Sequence, residues 1–199
     1  MPFKLLRLTA LLTVIFAGVI GLLRVPQRDD PLMQTFLIPP EDCESPCFLG
    51  VQPGTTTIRD AVAHFEANHW LNEVTQSGQF YDLVWSGSQP LFVDTGAPTY
   101  FMSETDRVGE LRVRTHLRLG DILAVLDQPD AVYSRITQSG TFVTIVYTQL
   151  GLEISGYWPC RMPRRHLWHI PVEIRMHTLA FESTVPTSMN WPKADCTHS

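Results

Sequence analysis

The sequence predicts an α+β protein: an N-terminal transmembrane helix, then two tandem units, each a helix followed by a three-stranded antiparallel sheet. Three observations carry this. An uncharged apolar run, Leu8–Leu23, is bounded by Arg7 and Arg24. Two turn-then-helix patterns begin at Pro53-Gly54 and near Leu117, about 65 residues apart, and short strand patterns follow each. The strand patterns alternate apolar and polar residues with period two, as half-buried antiparallel strands do. Five regions follow: an anchor or signal peptide at 1–24, a proline-rich tether at 25–46, units at 47–115 and 116–183, and a tail at 184–199.

The apolar run spans about 24 Å as a helix, slightly short of a typical hydrocarbon core. Lys4, Arg7 and the amino terminus lie on one side, while Asp29 and Asp30 partly offset Arg24 and Arg28 on the other. This bias favours a cytoplasmic N-terminus, a single span within Leu5–Leu23 and an extracytoplasmic body at the cell membrane. A cleaved signal peptide is the rival reading, but no Ala-x-Ala site ends the run and no cysteine closes it. Pro26, Pro31, Pro39, Pro40 and Pro46 then argue against regular structure. Phe36, Leu37 and Ile38 are the residues of this tether able to dock on the body.

In the first unit, Thr57 with Asp60 forms a capping-box pattern for a helix carrying Ile58, Val62 and Phe65. Phe80–Trp85, Thr99–Ser103 and Glu110–Thr115 read as strands. In the second, Leu119, Ile122, Leu123 and Leu126 mark a short helix stopped by Pro129. Ala131–Ile136 reads as a turn or extended segment. Thr141–Thr148, Leu152–Trp158 and Val172–Phe181 read as strands, with a basic loop at Pro159–Pro171.

The opening that begins at Pro46 and runs Pro-Cys-x-x-Gly-x-x-Pro-Gly-x-Thr resembles that of a family of uncharacterised membrane-tethered bacterial proteins. The Pro53-Gly54-Thr55 turn, its helix and the strands after it resemble the unit of SmpA/OmlA-type lipoproteins. Leu119-Gly120-Asp121 through Gln128-Pro129 resembles the short helix of the same fold. Two such units in tandem resemble β-lactamase inhibitor protein. The resemblance covers roughly residues 46–182 and implies a fold, not a function. The chain departs from it in lacking a lipobox, so neither barrel assembly nor inhibitor contacts carry over.

Charge and cysteine content narrow the chemistry. Lys4, Arg7 and Arg24 account for three of 15 basic residues, leaving 12 against 20 acidic ones from position 25 onward, a balance of −8. An acidic body is a poor match for phosphate backbones, which argues against a nucleic-acid partner. Cys43, Cys47, Cys160 and Cys196 allow two disulfides in three connectivities. Long-range pairing of the tether cysteines with Cys160 and Cys196 is the preferred one, because longer loops stabilise more.

No nucleophile elbow, phosphate loop or His-Glu-x-x-His motif is present, and no cofactor is implied. Two function classes remain. The first is a membrane-anchored, extracytoplasmic binding or scaffold module without catalysis, whose partner is a protein or envelope component. Arg112 and Arg114 alternate with Leu111 and Val113. Glu173, Arg175 and His177 alternate with Val172, Ile174 and Met176. If the apolar sides pack on the helices, those five polar residues share a water-facing surface for the partner. The second class is an extracytoplasmic hydrolase or metal-binding protein with a site around Cys160, His166 and His169. Soft sulfur plus imidazole would suit copper or zinc, although Arg164 and Arg165 repel cations there.

Overall fold

The computed structural model describes residues 11–16, 18, 31–38, 43–126 and 128–178. Three labelled helices, α1 (Pro31–Leu37), α2 (Ile58–Glu66) and α3 (Leu119–Val125), accompany eight strands. These are β1 (Leu71–Ser77), β2 (Phe80–Trp85), β3 (Tyr100–Glu104), β4 (Arg107–Arg118), β5 (Ala131–Ile136), β6 (Gly140–Tyr147), β7 (Leu152–Pro159) and β8 (Pro171–His177). All eight form one sheet in the order β1-β2-β3-β4-β8-β7-β6-β5, every neighbouring pair antiparallel.

This corrects the expected fold class. Among the described residues each half supplies a helix and four strands, not three, and the halves fuse through β4 and β8 into a continuous sheet. The missed strands are β1 and β5. β1 reads Leu-Asn-Glu-Val-Thr-Gln-Ser and is exposed at most positions, so it lacks the apolar signal of a strand. β5 reads in the sequence as either a turn or an extended segment, because Pro129 and Asp130 precede it. Both are outermost strands, where pairing on one side only relaxes the demand for apolar residues.

The membrane expectation is corrected as well. Among the described residues no helix is long and apolar enough to cross a membrane. Residues 11–16 are helical, but the rest of Leu5–Leu23 lies outside the described residues. Among the described residues, the transmembrane anchor, the signal-anchor reading and the extracytoplasmic placement built on them have no spanning helix to rest on. The tether is corrected in part: α1 lies within it, with Pro31 at the first helical position, where a missing amide donor is harmless. Met33, Phe36 and Leu37 of α1 are buried, whereas Ile38 is exposed.

The core lies between the helices and one face of the sheet. Leu111 and Val113 of β4, Ile174 and Met176 of β8 and Ile154 of β7 are fully buried with Ala61, Phe65, Leu119 and Ile122. A chain of ring contacts joins the N-terminal elements to it: Phe36 to Phe48 at 5.3 Å, Phe48 to Phe65 at 6.3 Å, Phe65 to Phe101 at 5.4 Å, and Phe101 stacked on Tyr81 at 4.7 Å. α2 starts where expected. Thr57 Oγ1 accepts from the Asp60 amide at 3.2 Å and donates to Asp60 Oδ2 at 2.8 Å. Gly54, at φ +87°, supplies the turn before it. α3 is capped in the other sense: the Arg118 amide donates to Asp121 Oδ2 at 3.1 Å.

Cys43 is bonded to Cys47, which corrects the preferred long-range pairing. Their Cα atoms lie 6.0 Å apart, within the span a disulfide bridges. The Phe48–Val51 turn, closed by two backbone hydrogen bonds of 2.9 Å, holds this segment on the core. Cys160 is also disulfide-bonded.

Candidate functional site on the open sheet face

Alternation places the polar residues of the central strands on the face opposite the helices. The register puts Arg112 beside Arg175, Arg114 beside Glu173 and Glu110 beside His177 across the β4–β8 seam. It also puts Glu153 beside Arg175 across β7–β8. Arg112, Arg114, Glu173, Arg175 and His177 therefore share one face. Glu110 and Glu153 join them, and sequence reasoning did not single these two out. Both were legible from the same period-two pattern, two residues before Arg112 and one after Leu152.

These groups form a connected network. Glu173 sits among three arginines, at 2.9 Å from Arg175, 3.5 Å from Arg112 and 3.7 Å from Arg114. Arg112 also reaches Glu110 at 3.2 Å, and Arg175 reaches Glu153 at 3.4 Å. The His177 ring lies between two carboxylates, 3.7 Å from Glu110 and 3.8 Å from Glu153. The Arg112 guanidinium lies over the Tyr100 ring, 5.1 Å from its centroid. With most members half-buried, like charges on neighbouring strands are tolerable only because each has an opposite charge beside it.

Burial and charge tune the titrating groups. Burial disfavours the charged form of Arg175. Its hydrogen bond to Glu173 and the charges of Glu173, Glu153 and Glu110 outweigh that and hold its pKa above the ordinary value. Burial lowers the pKa of His177; Glu110 and Glu153 oppose the shift, and Arg175 and Arg112 reinforce it. Burial raises Tyr133, assisted by the charge of Glu153.

On the β5–β6–β7 side the face is hollowed into a groove of about 600 Å³. Its floor and walls include Arg114, Glu153, Glu173 and Arg175, together with Tyr133, Arg135, Phe142 and Tyr157. Phe142 and Tyr157 pair at 5.0 Å, and the Arg135 guanidinium lies 5.3 Å from the Phe142 ring centre. Such a volume lies within the range of sites that take small molecules or short peptide segments. Asp94, on the opposite rim, lies 3.8 Å from His116.

The alternative site does not assemble. His166 and His169 lie in the 3₁₀ turn Arg164–His169, their rings 6.2 Å apart. His169 Nδ1 is 3.5 Å from Arg118 Nη1. The sulfur of Cys160 is engaged in a disulfide and presents no thiolate. Among the described residues no three His, Cys, Asp or Glu side chains converge as metal ligands.

In comparison with known proteins, no family model matches the chain, and no curated protein or solved structure shows significant similarity to it.

Proposed function

We propose that the protein is a noncatalytic binding module that docks a protein segment on the open face of its sheet. The ion-paired network crossing β4, β8 and β7, continuous with the aromatic groove beside it, is the observation that supports this. The helices bury the other face, so the open one is the broad surface available to a partner. Ion pairs already in place cost less to desolvate than isolated charges. Arg114, with 55% of its side chain exposed, and the exposed Arg135 offer charge at the rim. Tyr133, Phe142 and Tyr157 supply the rigid ring surface that binding sites favour.

The test is capture by crosslinking and mass spectrometry with Arg114→Glu and the double variant Arg112→Glu/Arg175→Glu, folding being checked by circular dichroism. Loss of the wild-type crosslinks in folded variants is expected. Capture unchanged in folded Arg114→Glu and in the double variant would remove the open face as the docking surface. The single variant keeps the test valid if reversing two half-buried arginines unfolds the sheet.

A further inference from the structure

We propose that β5 is an acceptor edge: it takes an extended, acidic segment of a partner protein as a ninth strand, whose alternate side chains meet Tyr133 and Arg135 on the open face. The inference rests on the open-face reading and names the partner's chemistry and its mode of docking.

The sheet has two edges, and they are built differently. β1 is protected. Its register with β2 breaks between Leu71 and Glu73, and Glu73 places a charge on the edge. Bulges and charges are the devices that block unwanted pairing. β5 has no bulge, and its one charge is Arg135. It pairs with β6 in unbroken register over all six residues and ends at Ile136, which is 62% exposed.

The hydrogen-bond phase of the hairpin fixes which groups β5 offers. The Thr137 amide donates to the Gly140 carbonyl at 2.8 Å, next to the turn. Bonded pairs recur at every second residue of an antiparallel ladder, so Arg135 and Tyr133 turn their backbone groups toward β6. Val132, Ser134 and Ile136 turn theirs outward, on the side where β5 has no neighbouring strand among the described residues. An incoming strand therefore meets three donor–acceptor positions in the correct spacing.

Charge selects the occupant. Glu110, Glu153 and Glu173 are all engaged by arginine or histidine. Arg135 has no carboxylate partner among the described residues; its guanidinium rests on Phe142 instead. Asp130, just before the strand, is turned away to accept from the Thr148 amide at 2.7 Å and hydroxyl at 2.8 Å. The unneutralised charge within the strand itself is therefore positive, and a side chain on an added strand would lie within reach of it.

The probe is a fluorescein-labelled nine-residue peptide alternating glutamate with valine, compared with its lysine–valine counterpart by fluorescence anisotropy on the full chain. The glutamate peptide is expected to bind, with the lysine peptide at least about tenfold weaker. Ile136→Pro removes one outward donor at an edge position that tolerates proline, and is expected to weaken binding about tenfold. Arg135→Glu is expected to reverse the preference between the peptides. Hydrogen exchange should slow at the Val132, Ser134 and Ile136 amides when the glutamate peptide binds. This readout needs no variant, and unslowed exchange there overturns the proposal even if Ile136→Pro misfolds. So does a glutamate peptide that fails to bind, or one that binds folded Ile136→Pro as it binds wild type. A wild-type dimer in sedimentation equilibrium that Ile136→Pro dissolves overturns the acidic partner in favour of a second copy. Glutamate-peptide binding lost in Arg114→Glu but retained in Ile136→Pro sinks the edge-strand mode alone and leaves the open face standing.

Discussion

His177 shows what a half-buried titrating group does to a solvated sheet face. Its pKa in the folded protein lies below the ordinary 6.5, chiefly because burial disfavours the imidazolium. Between 6.5 and that lower value the unfolded chain holds a proton that the folded chain does not. Stability is therefore undiminished by this group above pH 6.5 and falls as acid carries the solution down through the folded value. Thermal melting across that window should show a slope in wild type that His177→Gln reduces. An equal slope in both proteins would assign it to other groups. Glu173 is the complementary case. Glu173→Gln leaves Arg112, Arg114 and Arg175 crowded without their shared counter-ion, and is expected to cost about 2 kcal/mol in urea unfolding. Arg114→Gln, on the exposed rim, should cost well under 1 kcal/mol. The shared face of Arg112, Arg114, Glu173, Arg175 and His177 was legible because side-chain alternation is local. The pairing that makes it a network was not. It depends on β4 meeting β8, a register set by residues about 60 positions apart.

Elements with strong local chemistry were the most legible. The Thr57–Asp60 cap announced α2, and Thr57→Ala should destabilise the protein by about 1 kcal/mol, measured by denaturant titration. β6, with Phe142, Val143, Ile145 and Val146, could hardly be anything but a strand. α1 was hidden because proline argues against helix in general, yet Pro31 occupies the one position that suits it. The cysteines misled for another reason. Loop entropy ranks connectivities by how much each would stabilise, whereas the bond that forms depends on which sulfurs the folded chain brings together. The short Cys43–Cys47 loop should contribute only about 2 kcal/mol. Cys43→Ser/Cys47→Ser is expected to keep the fold and lose roughly that amount. Loss of the fold would show that the bond is what holds Phe48 in the core.

The two halves are one molecule because β4 and β8 meet at the middle of the sheet. Ile174 of β8 is opposite Val113 of β4 and Ile154 of β7, and all three are fully buried. Ile174→Ala should cost about 3 kcal/mol and lower a single calorimetric transition. Two separated transitions would mean that the halves melt independently. The position of β8 also bears on how the chain comes off the ribosome. It is made after the other seven strands yet belongs fifth across the sheet, between β4 and β7. Until it emerges, the nascent chain carries two hairpin stacks, each with an unpaired inner edge that is apolar on its core face. During that interval the chain is open to the wrong neighbour, and a stall before Pro171 would prolong the exposure. Chaperone capture of stalled nascent chains should peak just before β8 clears the exit tunnel and fall once it does.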